Sequence, residues 1–201
     1  GIQLRGLEKR YSTVYVNGVK MSDPSTTDNS FYFQHIMKDS IDRVEILKGN
    51  QSSLYGANAI GGTIHVFTKK GKEGHRSNVS VEGGSNNSKS TYYSLDGANE
   101  KIDYYLGLNK FLTGGISARN DDGESDKYRN ESLNASLGYK FNESFRIENS
   151  LGYTNTDLKY DAVSSSSVDN VDRSDDILAN YSLRIMHDGA KTNNILSYGK
   201  L

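Results

Sequence analysis

This chain of 201 residues lacks several residue types and patterns, and each absence excludes a kind of site or a class of partner. The chain has no cysteine, which excludes disulfides, thiolate zinc sites and a cysteine nucleophile. Its formal net charge is -1, so no global field recruits nucleic acid, and we expect no nucleic-acid partner. Mean hydropathy is -0.69, and no run approaches the roughly 18 consecutive apolar residues of a spanning helix.

What the chain does contain points to β-structure. It holds 14 Tyr, 6 Phe and 20 Gly but a single Pro, a composition typical of many strands joined by turns. The chain starts at Gly1 without a signal peptide. We interpret it as a piece of a longer protein, so the missing leader says nothing about export.

Residues 1–71 mix short strands with irregular connections. The stretch TVYVNGVKM predicts two strands around an Asn-Gly turn. A short helix is expected at Phe33–Lys38, followed by strands at Asp42–Leu47 and in TIHVFTKK. This half is predicted to be a small α+β domain, with a second domain over 72–201.

From about Ser77 the chain changes to an alternation with a period of two, which breaks at Asn149. Leu133, Ala135, Leu137, Tyr139 and Phe141 alternate with polar or small residues, which gives each strand one apolar and one polar face. The pattern predicts seven antiparallel strands, at about 77–84, 89–97, 102–112, 127–141, 144–157, 174–187 and 192–201.

Strand length and loop length favour a membrane barrel over a soluble sandwich. Several predicted strands exceed the roughly 5–6 residues of typical soluble strands, and after the first hairpin short and long connections alternate, as in outer-membrane barrels. Aromatic residues collect near predicted strand ends, where a girdle is expected. They are Tyr139, Phe141, Phe145 and Tyr153.

The glycine-rich stretch KGNQSSLYGANAIGGTIHVF does not fit a phosphate loop. Gly56, Gly61 and Gly62 match neither the P-loop spacing nor the dinucleotide spacing, and a strand-like segment follows instead of a helix. The glycines are therefore expected to permit tight backbone turns with positive φ.

The stretch IDRVEILKGNQSSLYGANAIGGTIHVFTKKG resembles the end of the plug domain of TonB-dependent outer-membrane receptors. IQLRG and VYVNGVKM also lie where that domain has matching elements, so the resemblance spans 1–71. It departs from the family pattern at Asn50, where Pro is usual, and at His65, where Asn is usual. The matching residues are Arg43, Glu45, Gly49, Ser52, Tyr55, Gly56, Ala59, Gly61, Gly62, Ile64 and Thr68.

The resemblance implies a fold and a function. The fold is a small α+β plug domain followed by antiparallel transmembrane strands, about seven of the 22 in such a barrel, in the bacterial outer membrane. The function is energy-coupled uptake of a scarce nutrient complex, with outer-membrane lipid around the barrel and TonB as partner through a TonB box upstream of Gly1. The family also implies that Arg43 and Lys48 pair with carboxylates of the barrel wall, since a partly buried charge must be paired. Glu148 is one candidate partner.

Two acidic loops suggest calcium, which prefers carboxylate, carbonyl and amide oxygens. A narrower resemblance is to the cobalamin receptors of the family, whose second and third loops bind calcium. The resemblance implies a calcium site, although a solvated acidic surface would have the same composition. Its residues are Asn120, Asp121, Asp122, Tyr160, Asp161 and Asp172.

Alternatives stay open. Within the family they are a ferric-siderophore or haem receptor, although neither long loop holds the histidine that haem would need. From another class comes a soluble β-rich adhesin or carbohydrate-binding module, in which Leu137, Leu151 and Leu183 would share a closed dry core. No catalytic set stands out, so we do not expect an enzyme.

Overall fold

The computed structural model describes residues 2–23, 30–31, 33–116, 125–161, 171–189 and 193–200. The chain forms two sheets. A four-stranded sheet, which we call the plug sheet, ends at Thr68, and a seven-stranded sheet, which we call the wall, begins at Gly74. The predicted domain boundary between residues 71 and 72 falls in the segment that connects them.

The plug sheet has the order β2-β1-β4-β3. Its strands are β1 (Ser12–Val16), β2 (Val19–Met21), β3 (Ile41–Lys48) and β4 (Gly62–Thr68). The predicted Asn-Gly turn joins β1 to β2, and its two residues have φ of 49° and 86°. β1 and β4 are parallel, whereas the other two pairings are antiparallel. One face of the sheet carries the plug core, which includes Val14, Val16, Ile64 and Val66.

The helix predicted at Phe33–Lys38 is wrong. The chain makes two separate 3-10 turns, Phe33–His35 and Lys38–Ser40, because Met37 between them is extended with φ -79° and ψ 131°. The one α-helix described, α1 (Ser52–Tyr55), lies inside the glycine-rich stretch and was not predicted. None of the described helices has the length and apolarity needed to cross a membrane.

The wall is a fully antiparallel sheet in chain order, and it confirms the seven predicted strands. Short turns connect β6 to β7 and β8 to β9, whereas residues 114–127 connect β7 to β8. The strands are β5 (Gly74–Gly83), β6 (Lys89–Ala98), β7 (Ile102–Thr113), β8 (Tyr128–Asn142), β9 (Phe145–Asp161), β10 (Val171–Asp188) and β11 (Asn193–Lys200).

The wall exposes apolar side chains on one face and buries polar side chains on the other, which is the reverse of a sheet in a soluble protein. Leu137 and Leu151 on its outward face are 52% and 45% exposed, while Asn130 and Thr156 on the inward face are 0% and 2% exposed. The plug lies against that inward, polar face, with Leu178 of β10 packed on the plug core. No second sheet covers the outward side of the described wall, so these leucines do not share a sandwich core.

Aromatic side chains gather where β8 turns into β9. The rings of Tyr139 and Phe141 lie 4.6 Å apart and those of Phe141 and Phe145 lie 5.2 Å apart, as expected of a girdle at the edge of an apolar band. Tyr153, expected in the same girdle, lies instead in the middle of β9, because β9 runs four residues further than predicted.

Candidate functional site: the plug–wall interface

Residues 69–72 connect the plug sheet to the wall, and three of them bind wall residues directly. Lys70 Nζ lies 2.7 Å from Glu148 Oε2, and Ser136 Oγ donates a hydrogen bond of 3.4 Å to the carbonyl of Lys69. The Lys72 amide donates to Asp96 at 3.4 Å. Residues 69–72 are thus held by three different wall strands.

Glu148 is the centre of an ionic network on the inward face. Arg146 bonds Glu148 at 3.0 Å and also bonds Asp103 on β7, and Arg184 on β10 lies 3.9 Å from Glu148. The Glu148 side chain is only 14% exposed. Burial of this carboxylate is tolerated because cations from the plug segment and from two wall strands surround it.

The register of the wall explains how Arg146 reaches two carboxylates. Asp103, Gly138, Glu148 and Arg184 are direct cross-strand neighbours on four adjacent strands. A Cβ atom at Gly138 would collide with the Asp103 carboxylate and the Arg146 guanidinium. Glycine at this position therefore leaves the space in which the Arg146 side chain crosses β8.

Arg43 and Lys48 occupy different surroundings from Lys70. Arg43 pairs with Glu45 at 2.7 Å on its own strand, and its guanidinium lies 3.9 Å from the ring centre of Phe67. Lys48 ends β3 and is exposed. Within the described residues neither contacts a wall carboxylate, so their pairing with the barrel stays a prediction. Glu148 does bind a cation of the plug segment, but that cation is Lys70.

The glycine-rich stretch closes the end of the plug sheet. Gly49, Gly56 and Gly62 have φ of 105°, 87° and 142°, the region that glycine adopts without strain. A Cβ at Gly62 would run into the Leu47 carbonyl. The amide of Gly61 donates to the Tyr11 carbonyl at 2.9 Å, and the positive φ angles agree with the tight turns expected of this stretch.

The second face of the plug sheet carries an aromatic cluster around His65. The Tyr15 and His65 rings stack at 5.0 Å, and Tyr55 approaches His65 at 5.1 Å. Burial lowers the pKa of His65, although the nearby Glu45 carboxylate partly opposes this effect. His65 also hydrogen-bonds Thr63 Oγ1 at 3.0 Å. Burial likewise lowers the pKa of His35.

Further polar contacts between plug and wall were not predicted. Asn109 of β7 donates to Asp39 at 3.0 Å. Asn130 of β8 donates to the His35 carbonyl at 3.4 Å. Their sequence signal is a polar residue at an inward-facing position of a long strand. The sequence pattern identifies the wall residue of each contact but not the plug residue that it binds.

The residues assigned to calcium are only partly within the described chain. Asn120, Asp121 and Asp122 lie outside the described residues. In the backbone register of β9 and β10, Tyr160 is the direct partner of Asp172, and Asp161 is the partner of Val171. No cluster of three metal-ligating His, Cys, Asp or Glu side chains occurs in the part of the chain that the structure describes.

The described chain thus places a small plug sheet against the polar face of a wall of seven long antiparallel strands. Residues 1–63 match the family described as TonB-dependent Receptor Plug Domain. Among curated proteins, the vitamin B12 transporter BtuB of Photobacterium profundum is 27% identical over 80% of this chain and 27% of its own length. BtuB of Vibrio cholerae is 30% identical over 76% of the chain and 26% of its own length.

Solved structures show the same fold. A variant of the ferric enterobactin receptor PfeA from Pseudomonas aeruginosa aligns over 99% of this chain and 34% of its own, with a TM-score of 0.76 and 17% identity. The siderophore receptor PirA from Acinetobacter baumannii gives a TM-score of 0.75 at 15% identity, over 99% of this chain and 33% of its own.

The chain therefore contains a TonB-dependent receptor plug domain over residues 1–63, and it is similar to outer-membrane receptors of that family along most of its length. It spans about a quarter of the length of the curated relatives it matches. Within that span lie a plug domain and seven strands of the barrel wall, which confirms the predicted fold class.

Proposed function

We propose that the whole protein takes up a scarce nutrient complex across the outer membrane, with energy delivered by TonB. The observation that supports this most is the plug held inside the polar face of the wall by the Glu148 network. A domain in that position blocks the lumen, so transport requires that an energy source displace or remodel it. Polar and ionic contacts can be broken and remade in water, as such a cycle demands.

Cobalamin is the substrate that we propose. Relatives named as vitamin B12 transporters match about four-fifths of this chain and extend through both plug and wall. The solved siderophore receptors are below 20% identical to this chain, so they support its fold but not a substrate.

A ferric siderophore is the second candidate. The iron-regulated outer membrane virulence protein of Vibrio cholerae is 30% identical over 87 residues, which is 40% of this chain. That match is shorter than the matches to the vitamin B12 transporters, so it ranks second.

Uptake in cells tests both candidates. A strain without its own cobalamin and siderophore receptors, carrying the full-length gene, is expected to accumulate labelled cyanocobalamin but no labelled ferric siderophore. Deletion of tonB should abolish the accumulation. Uptake of a ferric siderophore alone would replace the first candidate by the second, and uptake that persists without TonB would contradict the proposed mechanism.

We also propose that calcium binds between the β7–β8 and β9–β10 connections, with Asn120, Asp121, Asp122, Tyr160, Asp161 and Asp172 as its ligands. The proposed ligands are carboxylate and amide oxygens, which suit this ion, and the register brings Tyr160 and Asp172 to neighbouring positions. Millimolar calcium is expected to slow proteolysis within residues 113–126 and 158–173 of the full-length receptor. Equal cleavage with calcium and with chelator would rule the site out.

A last proposal concerns the charges at the edge of the plug sheet. Arg43 and Lys48 lie on β3, which pairs only with β4 among the described strands. We expect their charges to be paired with wall carboxylates in the full-length protein. Lys48→Gln should then destabilise the plug measurably more than Lys20→Gln, an exposed lysine on β2, in denaturant unfolding of the full-length receptor. Equal effects would refute the pairing.

A further inference from the structure

A basic cavity lies between residues 69–72 and the first two strands of the wall. Its volume is about 480 Å³, within the roughly 300–1,000 Å³ of small-molecule sites in proteins. Four cations and two carboxylates line it, so positive charge is in excess. The cations are Lys69, Lys70, Lys72 and Arg76, and the carboxylates are Asp42 and Asp96.

Both carboxylates of the cavity are already paired with guanidinium groups. Asp96 Oδ2 lies 2.7 Å from the Arg76 guanidinium, and it also accepts the Lys72 amide at 3.4 Å. Asp42 lies 3.6 Å from the guanidinium of Arg43 on its own strand. The negative charge of the cavity is therefore offset before its lysines are considered.

Two of the lysines have no carboxylate partner among the described residues. The ammonium of Lys70 is held by Glu148 at 2.7 Å. The ammonium of Lys69 instead lies 5.6 Å from the ring centre of Tyr92, and the Lys72 side chain is exposed. Cations that line a concave site with low-dielectric walls attract anions, so Lys69 and Lys72 give this cavity its preference for an anion.

The backbone holds these two lysines at fixed positions on the wall. The Lys69 amide donates to the Ser40 carbonyl at 2.9 Å. Gly71 lies so close to β6 that a Cβ atom there would overlap the Gly97 carbonyl. The backbone from Lys69 to Lys72 therefore lies flat against the wall, and a site organised in advance loses less entropy when its ligand binds.

The wall side of the cavity supplies further hydrogen-bond donors. The Arg76 guanidinium uses its Nε–H and one Nη2–H for Asp96, and a guanidinium has five N–H donors. Its side chain is 49% exposed, so the other donors are accessible. Asn78 and Ser94 are direct cross-strand neighbours and also line the cavity. Donors thus surround the cavity from the lysine side and from the wall side.

The cavity lies near the end of the wall that carries the short turns. The strand β6 ends at Ala98, two residues after Asp96, and the β6–β7 turn follows. Short turns of outer-membrane barrels face the periplasm. An anion dissolved in the periplasm therefore approaches the cavity from this end.

We propose that this cavity binds a small, doubly charged oxyanion of the periplasm, either free phosphate or the head group of a small phosphate monoester. Lys69 and Lys72 donate to its oxygens from one side and Arg76 donates from the other. Because the lysines belong to the segment that follows the plug and the arginine belongs to the wall, the bound anion bridges the two and stabilises the attached plug. The inference does not depend on which nutrient is transported.

Hydrogen exchange of the full-length receptor tests the proposal. Exchange of the amides of residues 69–72 is measured in chloride, in phosphate and in glycerol 3-phosphate, at equal pH and ionic strength. An anion that binds only the attached segment slows its opening by the factor 1 + [anion]/Kd. Exchange should therefore be roughly tenfold slower at a phosphate concentration of ten times Kd. Slowing by phosphate alone identifies the free ion as the ligand, and slowing by both identifies the monoester as a ligand too.

Substitutions of single lysines locate the site. Lys69→Gln and Lys72→Gln should each raise the half-saturating phosphate concentration roughly tenfold, because each removes a charge-assisted hydrogen bond. Lys72→Arg keeps the charge and should stay within about threefold of the original value. The matched control is Lys101→Gln, an exposed lysine in the β6–β7 turn at the same end of the wall. It does not line the cavity and should change nothing.

Three results would overturn the proposal. Equal exchange in chloride and in phosphate would mean that no oxyanion bridges residues 69–72 to the wall. Slowing that persists in the double variant Lys69→Gln, Lys72→Gln would be the general stabilisation of folded proteins by phosphate. An equal loss of slowing with Lys101→Gln would assign the effect to the net charge at this end of the wall and not to the cavity.

Discussion

The plug and the wall are both β-sheets of one chain, but they bury opposite kinds of side chain. In the plug, Ile64 and Val66 are each 1% exposed, as in any protein whose core excludes water. In the wall, polar Asn130 is fully buried while Leu137 is 52% exposed. The surroundings of a sheet decide which face is its inside. The plug packs against the polar face of the wall, and the apolar face has the chemistry that contact with acyl tails requires.

The largest expected contrast comes from removing the same kind of side chain from each sheet. Ile64→Ala should lower the free energy of unfolding of the plug by about 2–5 kcal/mol, because it leaves a cavity in a packed core. Leu137→Ala, on the lipid-facing side, should cost less, about 1–2 kcal/mol, because the side chain loses its transfer from water to lipid but lipid fills the space that it leaves. Denaturant unfolding of both full-length variants in one lipid measures the difference. Equal costs would mean that the two sheets have the same kind of interior.

Alanine substitutions of one glycine in each sheet compare the backbone constraints of the plug with those of the wall. Gly62→Ala should destabilise the plug by more than about 2 kcal/mol, because φ is 142° and the new Cβ would meet the Leu47 carbonyl. Gly83→Ala at the end of β5 has open space around it and should be close to neutral. Thermal unfolding of the two variants checks this. A mild effect at Gly62 would show that the β3–β4 edge can rearrange.

Removal of the Glu148 carboxylate should weaken the attachment of residues 69–72 to the wall. Glu148→Gln leaves Lys70, Arg146 and Arg184 without the carboxylate they surround. The expected cost of about 1–3 kcal/mol corresponds to exchange of the amides of residues 69–72 that is roughly 5-fold to 150-fold faster. Hydrogen exchange of the full-length receptor measures it.

The control for this variant is Glu143→Gln, whose side chain is 92% exposed and pairs with Lys140. It should leave exchange at residues 69–72 unchanged. A second variant, Lys70→Gln, removes only the plug-side partner and leaves the wall network in place. If Glu148→Gln and Glu143→Gln exchanged alike, the ionic network would not hold the segment.

The smallest expected effect is a dependence of plug stability on pH. Burial lowers the pKa of His65 and of His35 in the folded state, from an ordinary 6.5. The unfolded chain therefore binds protons first as the pH falls, so stability decreases below about pH 6.5 and stops falling below the lowered folded pKa. The melting temperature should be lower at pH 5.5 than at pH 7.5. His65→Asn should reduce that difference, and an unchanged difference would exclude His65 as a source.

Sequence patterns predicted the wall better than the plug because the wall is regular. Alternation over many residues indicates strand, face and register together, so all seven wall strands were predicted. In the plug, short elements are set by local packing. The two 3-10 turns at Phe33–His35 and Lys38–Ser40 therefore differ from the single helix expected there.

The plug–wall site was only half predictable. Glu148 could be recognised as an inward-facing charge that needs a partner, but Lys70 is 78 residues away, and neither lies in a motif that names the other. The space above Gly138 that lets Arg146 reach Asp103 follows from the alignment of three strands. No single segment carries that information.

By itself, the sequence determined that this protein has a short-stranded domain and a wall of long two-faced strands, because period and strand length are local properties of the chain. Only the tertiary structure decided which cation meets which carboxylate between them. Ion pairs depend on distances in space. The folding of residues 72–201, about two-thirds of the chain, sets the distances between the charged groups.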